Sequence, residues 1–200
     1  MKVLKFGGTS VANAQNILLV EKIVKKESLE NRVVVVVSAL SGVTDGLISA
    51  AESASAKNEN YSETIKSLEE KHLEFVKNLL PITEQSSWLS FVKKNFNDIE
   101  DICNGIYVLG EFTPRIKDKI TAYGEFLSSN IIAAKLKSDG LDCVWLDSRN
   151  YIKTNSNFTD AKVNFETTNA ALQTYFKENK QQITLAPGFI ASDVDGNITT

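Results

Sequence analysis

The five consecutive valines at positions 33–37 constrain the fold of this chain more than any other stretch. β-branched residues favour extended structure, and a strand that is apolar at every position has two faces to bury. Such a strand is typical of the middle of a parallel sheet that is covered by helices. The run therefore predicts an α/β protein with a mainly parallel sheet.

The residues before the valines complete a β-α-β unit. Residues 2–6 contain a short apolar run, which predicts a first strand. Asn13 can cap a helix that apolar residues at helical spacing extend to about Ser28. Because the crossover in such a unit is right-handed and joins parallel strands, the two strands are expected to belong to one sheet.

The middle of the chain has a different pattern. Residues 62–109 carry two apolar stripes at helical spacing and no predicted strand, so we expect an all-helical insertion at about 62–123. A helix should start at Pro114 and break at Gly124 and Glu125, where glycine weakens a helix. The other predicted elements are a helix at 46–56, a strand at 142–146, a loop at 147–164, a helix at 165–177, a strand at 183–186 and a hairpin that turns at Asp195 and Gly196.

Composition excludes several classes of function. The net charge of -3 gives no reason to expect nucleic acid as a partner, which would need a basic face, and no apolar run approaches the length of about 20 residues that spans a bilayer. Cys103 and Cys143 belong to no metal-binding motif and are expected to be buried free thiols in a reducing cytoplasm. The single histidine, His72, lies on an apolar stripe, which favours a packed core residue over a catalytic or zinc-binding one.

The first candidate site follows the first strand. Gly7 and Gly8 would let backbone N–H groups approach an anion, with Ser10 nearby and a helix N-terminus beyond. Lys5 could place an ammonium group on transferring phosphates. An ordinary tight turn beside a surface lysine is the alternative, and neither the GxxxxGK[ST] nor the GxGxxG pattern is present.

Two further groups of polar residues follow predicted strand or helix ends. Ser38 and Thr44 come after the valine strand, where open α/β sheets bind ligands, although hydroxyls there can also serve as helix caps. Glu125 could bind a substrate ammonium group if it faces the strand ends, and otherwise it would be a cap at a helix N-terminus.

Four blocks spread over the chain resemble the kinase domain of the aspartokinases. In order they are KFGGTSVANAQNI (5–17), VVVSALSGVTD (35–45), DKITAYGEFLSS (118–129) and PGFIASDVDGNITT (187–200). The opening is most similar to that of the aspartokinases that are fused to homoserine dehydrogenase. The resemblance implies the three-layer αβα sandwich of the amino-acid kinases and transfer of the γ-phosphoryl group of ATP to the side-chain carboxylate of L-aspartate.

The resemblance also implies roles for individual residues. Lys5, the catalytic lysine, would contact the phosphates of ATP, with Gly7, Gly8 and Ser10 around it. Mg²⁺ would arrive with ATP, and no protein ligand to a metal is predicted. The residues that correspond to the family's aspartate-binding positions are Ser38, Thr44, Glu125 and Phe189. A homo-oligomer is expected for the full-length protein.

Two departures from the family pattern stand out. Phe126 follows Glu125 where many members have arginine, so a contact through that side chain is not expected. The chain also stops at Thr200, before the glycine- and arginine-containing block that supplies a substrate arginine and a catalytic aspartate. We therefore expect residues 1–200 to be the N-terminal part of a catalytic domain, without the ATP-base half, ACT domains or a dehydrogenase, and to be inactive alone.

Two alternatives stay open at the level of sequence. One is a related kinase that acts on glutamate, acetylglutamate or UMP. The other is a non-catalytic ligand-binding module with the same fold.

Overall fold

The computed structural model describes residues 1–200 as an α/β fold with a four-stranded parallel sheet and a separate small hairpin. The strands are β1 (Lys2–Phe6), β2 (Val33–Val37), β3 (Cys143–Trp145), β4 (Ile183–Pro187), β5 (Ala191–Ser192) and β6 (Ile198–Thr199). The helices are α1 (Ala14–Ser28), α2 (Val43–Ser55), α3 (Tyr61–Leu79), α4 (Ile82–Leu109), α5 (Pro114–Ser138), α6 (Ser148–Tyr151) and α7 (Phe165–Glu178).

The valine strand is central, as its sequence predicts. The strand order is β1-β2-β4-β3, and β2 pairs in parallel with β1 on one side and β4 on the other. Val37 stands opposite Phe6 of β1 and Pro187 of β4, so these three strands end level with one another. The loops that follow these three strands therefore start side by side, with neighbouring strands about 4.8 Å apart.

The two faces of the sheet are covered unequally. Val33, Val35 and Val37 are buried in the main core on the face where α1 and α5 pack. On the opposite face, α7 lies beside an apolar groove of about 670 Å³ whose floor includes Val34 and Val36. These two valines are half-buried, so the expectation of helical cover on both faces is met fully on one face only.

Helices α3 and α4 form the expected all-helical region and pack against α2. We refer to α3 and α4 together as the helical block. His72 is completely buried there and its ring lies 5.2 Å from that of Phe96, which confirms the prediction of a core histidine. Cys103 and Cys143 are buried free thiols, as expected.

The predicted break at Gly124 and Glu125 is wrong, because α5 runs through both residues without interruption. One glycine in a helix interior costs only about 1 kcal/mol relative to alanine, and close packing at Gly124 offsets this cost. The N-terminus of α5 is as predicted, with the Thr113 hydroxyl accepting from the Ile116 N–H and Pro114 at the first helical position.

Three smaller expectations also need correction. Helix α2 begins at Val43 rather than at residue 46, because Gly42 adopts a φ of 77° and turns the chain into the helix early. The predicted loop at 147–164 contains the short helix α6. The terminal hairpin forms, but its loop spans residues 193–197 rather than two residues, since the Asp193 carboxylate accepts from the N–H groups of Asp195 and Asn197.

None of the helices combines the length and apolarity that crossing a membrane requires.

Candidate active site

The predicted site residues gather where β1, β2 and β4 end. We use the name strand-end site for residues 7–10, 38–44 and 188–189 together with Glu125. The first three segments follow β1, β2 and β4, and Glu125 reaches them from α5. The carboxyl ends of parallel strands are the usual ligand-binding edge of an open α/β sheet.

The glycine turn after β1 presents unused backbone donors. The Ser10 and Val11 N–H groups donate to the Gly7 carbonyl, at 2.9 and 3.3 Å, which closes the turn. The N–H groups of Gly7, Gly8 and Thr9 donate no hydrogen bond within the protein. Such clustered N–H groups before a helix N-terminus form a favourable environment for an anion.

Lys5 lies on β1 just before this turn and opposite Val36 of β2. Its side chain is exposed and forms neither a hydrogen bond nor an ion pair with the protein. Leu4 and Phe6, its neighbours on the strand, pack against the main core, so Lys5 belongs to the opposite face of the sheet. The ammonium group is therefore free to contact a ligand.

The loop after β2 is held by contacts to β1 and α5. The Ser38 N–H donates to the Phe6 carbonyl at 3.1 Å, and the Ser128 hydroxyl donates to the Ser38 carbonyl at 2.8 Å. Thr44 lies in the first turn of α2, half-buried, and its hydroxyl has no hydrogen-bond partner. Ser38 is thus on this loop and Thr44 is in the helix that follows it, and only Ser38 is connected to Glu125.

Glu125 is the polar centre of the strand-end site and is 8% exposed. Its carboxylate accepts from the Ser38 hydroxyl at 3.3 Å and from the Phe189 N–H. Burial raises the pKa of Glu125, and the donors on Phe189, Ser38 and the nearby N–H groups of Gly188 and Ala39 oppose that rise. The Gly188 N–H itself donates to the Val37 carbonyl at 3.0 Å, so it affects the pKa of Glu125 by proximity and not through a hydrogen bond.

Two glycines allow these segments to approach each other. A Cβ atom on Gly124 would lie 2.9 Å from the Ala39 Cβ, and one on Gly188 would lie 2.9 Å from a Val36 methyl group. Carbon atoms at that distance overlap, so either position needs glycine for the observed packing. Gly8 is less restricted, with the Ala39 carbonyl 3.4 Å from its hypothetical Cβ. The close packing at Gly124 brings Glu125 to the strand ends. The sequence had left open whether Glu125 faces these ends or only caps a helix.

Phe189 directly follows Gly188, and its side chain is 60% exposed. Its backbone is fixed by Glu125, whereas its ring packs in neither hydrophobic cluster. The structure thus joins Ser38, Glu125 and Phe189 in one network and places the glycine turn beside them. Lys5 and Thr44 lie at the same edge of the sheet without a hydrogen bond to that network.

Sequence reasoning missed three polar side chains that organise this region. Ser128 holds the Ser38 carbonyl, and Lys71 of the helical block donates to the Ser41 carbonyl. Asp118 is completely buried on α5 and accepts from Thr159 and Thr200. Ser128 and Asp118 are three and seven residues from Glu125, a helical spacing that could have identified both. Nothing in the sequence pattern indicates the contact of Lys71.

No cluster of three or more His, Cys, Asp or Glu side chains is arranged to hold a metal ion.

Comparisons with known proteins agree with this architecture. The sequence profile of the amino acid kinase family matches residues 1–200. A bifunctional aspartokinase/homoserine dehydrogenase from Arabidopsis thaliana is 35% identical over 201 aligned residues, which cover 99% of this chain and 22% of that protein. The bifunctional enzyme of Buchnera aphidicola is 31% identical, over 98% of this chain and 24% of its own length. The chain thus spans between a fifth and a quarter of the length of these relatives.

Solved structures show the same fold. Escherichia coli aspartokinase III in complex with aspartate and ADP superposes with a TM-score of 0.88 at 24% identity, over 100% of this chain and 43% of that one. The complex of the same enzyme with lysine and aspartate gives the same TM-score. With the profile match over its full length, the chain belongs to the amino acid kinase family.

Proposed function

We propose that this chain is part of an ATP-dependent kinase that phosphorylates the side-chain carboxylate of L-aspartate to give 4-phospho-L-aspartate, the first step of lysine, threonine and methionine biosynthesis. The observation that carries the proposal is the network of Ser38, Glu125 and Phe189 beside the glycine turn. The similarity of nearly the whole chain to bifunctional aspartokinases supports it.

The glycine turn is proposed as the phosphate side of the site. The three unused N–H groups of residues 7–9 would donate to phosphate oxygens, and the exposed ammonium group of Lys5 would neutralise charge on the transferring group. Ser10 would contribute its hydroxyl, because its N–H is already used inside the turn.

The network around Glu125 is proposed as the acceptor side. Glu125 would bind the ammonium group of aspartate through the lone pairs that its two present donors leave free. Thr44, whose hydroxyl has no partner, would donate to a substrate oxygen, and Ser38 would do so by turning its single O–H away from Glu125. The exposed ring of Phe189 would form an apolar wall. A cation bound to Glu125 would favour its charged form and lower its raised pKa.

The reaction needs positioning and charge neutralisation more than a covalent intermediate on the protein. A side-chain oxygen of aspartate forms a bond to the γ-phosphorus, and the bond from that phosphorus to the β,γ-bridging oxygen breaks. The electron pair of the broken bond stays with ADP, and the product is a mixed anhydride. Mg²⁺ would bind through the ATP phosphates and supply further neutralisation of charge, because it commonly keeps few protein ligands.

The test uses the full-length protein that contains these residues. ADP release would be measured with L-aspartate, L-glutamate, N-acetylglutamate and UMP as separate acceptors, and acyl phosphate would be trapped with hydroxylamine. We expect aspartate-dependent ADP release with an equal amount of hydroxamate. Turnover with another acceptor only would replace aspartate by that substrate, and binding of ATP without any turnover would favour a non-catalytic module.

The Lys5→Ala variant sharpens this test. Loss of a charge that acts on the transferring group typically lowers kcat by about 100-fold or more. The Lys2→Ala variant is a matched control, because Lys2 lies on the same strand but pairs with Glu27 at 2.6 Å, far from the glycine turn. Equal activity of the Lys5 variant and the control would remove Lys5 from the proposed mechanism. A homo-oligomeric state and a cytoplasmic location stay predictions.

A further inference from the structure

Asp118 is a buried carboxylate that the proposed reaction does not use. Its side chain is 0% exposed, and no lysine or arginine forms an ion pair with it. Instead, Oδ2 accepts from the Thr159 N–H at 3.0 Å and the Thr200 N–H at 3.1 Å, and Oδ1 accepts from the Thr200 hydroxyl. A buried carboxylate is tolerated when such donors satisfy it, so these contacts account for its presence.

Asp118 and Glu125 lie on one face of α5. They are seven residues, or about two turns, apart, which separates them by about 10 Å along the helix. Glu125 accepts from the N–H of Phe189, and Asp118 accepts from the N–H of Thr200. One helix thus fastens both ends of the 189–200 segment, which contains β5 and β6.

The middle of this segment is held independently. The Asp193 carboxylate orders the hairpin loop and accepts from the Ser156 hydroxyl at 2.9 Å. The Lys153 ammonium donates to the Ser192 hydroxyl at 2.8 Å. The Thr199 hydroxyl bonds to that of Thr154 at 2.7 Å, and Arg115 of α5 donates to the Asn197 side chain. Loss of the Asp118 contacts should therefore leave the hairpin folded and attached, but less firmly oriented against α5.

We propose that Asp118 is a positioning residue for the acceptor side of the strand-end site. By fixing Thr200 to α5 it helps to orient the hairpin and, together with the Glu125 contact to the Phe189 N–H, to position Phe189. The proposal rests on the proposed function for its kinetic consequence, since Phe189 is assigned to the acceptor and the glycine turn to the nucleotide. A loosened hairpin should raise the KM for the acceptor and leave the KM for ATP unchanged.

Asparagine is a conservative replacement at this position. In an Asp118→Asn variant, the carbonyl oxygen of the new side chain could accept the two N–H groups, and its amide could donate to the Thr200 hydroxyl. Alanine would remove all three contacts. Asp142→Ala is a control for loss of an aspartate that accepts from a backbone N–H away from the site, because the exposed Asp142 accepts from Gln182 at 2.9 Å at the opposite end of β4.

The kinetic test compares these three variants in the full-length protein. We expect Asp118→Ala to raise the acceptor KM about five-fold or more, with the ATP KM within two-fold of wild type. Asp118→Asn and Asp142→Ala should both stay within two-fold for both substrates. Equal changes in both KM values, or the same change in the Asp142 variant, would show a general structural effect and overturn the proposal.

Amide hydrogen exchange gives a readout that does not depend on activity. In Asp118→Ala, we expect faster exchange at Phe189 and in β5 and β6, with unchanged exchange in α3 and α4. Faster exchange throughout the protein, or no change in the hairpin, would overturn the positioning role. If the wild-type protein has no kinase activity, the proposed function fails while this measurement still decides the role of Asp118.

Discussion

The helical block buries His72 and the strand-end site buries Glu125, and a glycine lies within a helix in the first region and next to Glu125 in the second. In the helical block, His72 has one hydrogen-bonding contact, between Nδ1 and the Leu68 carbonyl at 2.7 Å on its own helix, and Nε2 has no partner. In the strand-end site, Glu125 accepts from two segments that are distant in sequence, at Ser38 and Phe189. The polar contact of His72 thus stays within its own helix, whereas Glu125 connects segments that are distant in sequence.

The two glycines differ in the same way. Gly105 of α4 has open space where a Cβ would be, while Gly124 of α5 lies against Ala39 and Val43. Burial or residue type alone therefore does not distinguish a site from a core. The distinguishing feature is the number of distant segments that converge on the residue, and substitutions in the two regions test this contrast.

The largest expected effect on stability comes from Glu125→Ala. It would leave the Phe189 N–H and the Ser38 hydroxyl without their acceptor in a partly buried environment. Each such loss costs about 1–3 kcal/mol, so we expect the free energy of unfolding to fall by about 3 kcal/mol. Urea unfolding of the chain would measure this change.

The control for that experiment is Glu70→Ala, since Glu70 is an exposed glutamate of α3. Its substitution should change stability by less than about 0.5 kcal/mol. Similar losses in the two variants would contradict the role of Glu125 as the connecting residue.

His72 should make stability depend on pH. Burial lowers its pKa to about 4 from the usual value of 6.5, so the unfolded chain binds more protons between these values. Stability contributed by neutral His72 is present above pH 6.5 and is lost as the pH falls towards 4, by up to about 3 kcal/mol. Unfolding at several pH values would show this slope, and His72→Leu should reduce it.

Glu125 contributes a slope of the opposite sign. Its pKa is raised, so the folded protein binds more protons and stability falls as the pH rises from 4.5 through the folded pKa. We therefore expect the slope of the His72→Leu variant to shift towards decreasing stability with rising pH in this range. An unchanged slope in the variant would mean that His72 does not have a depressed pKa.

The paired glycine substitutions should have opposite signs. Gly105→Ala should stabilise the protein by about 0.5–1 kcal/mol, because alanine favours the helix and meets no atom within 4 Å. Gly124→Ala gains the same helix propensity, but its methyl group overlaps with Ala39 at a cost of about 1–3 kcal/mol. We therefore expect a net loss of stability of about 1 kcal/mol. Thermal unfolding would measure both, and two changes of the same sign would refute the packing argument.

Lys5→Ala is expected to have the smallest effect on stability. Lys5 is exposed and has no polar partner, so the free energy of unfolding should change by less than about 0.5 kcal/mol. Denaturant unfolding of the variant alongside wild type checks this. A loss above about 1 kcal/mol would show a structural role for Lys5 and would count against its assignment to phosphate binding alone.

Much of the fold could be predicted from local patterns. The valine run identified the central strand, and Asn13 and the helical spacing after it identified α1. One error falls where a contact distant in sequence overrides a local preference, and another where a nearby side chain stabilises a longer loop. Gly124 was expected to break a helix, but packing against Ala39 keeps α5 continuous, and the Asp193 carboxylate replaces a two-residue turn by a longer loop.

The sequence by itself determined most of the elements and the family, because hydrophobic period, capping residues and motif spacing can be read along the chain without the fold. It also placed Lys5, Ser38 and Phe189 near strand ends, whereas Glu125, expected at a helix N-terminus, lies inside α5. Only the tertiary structure decided that Glu125 faces those strand ends and joins Ser38 to Phe189. It alone revealed Asp118 as a second anchor on α5, because such contacts require the parallel sheet to bring distant segments to one edge.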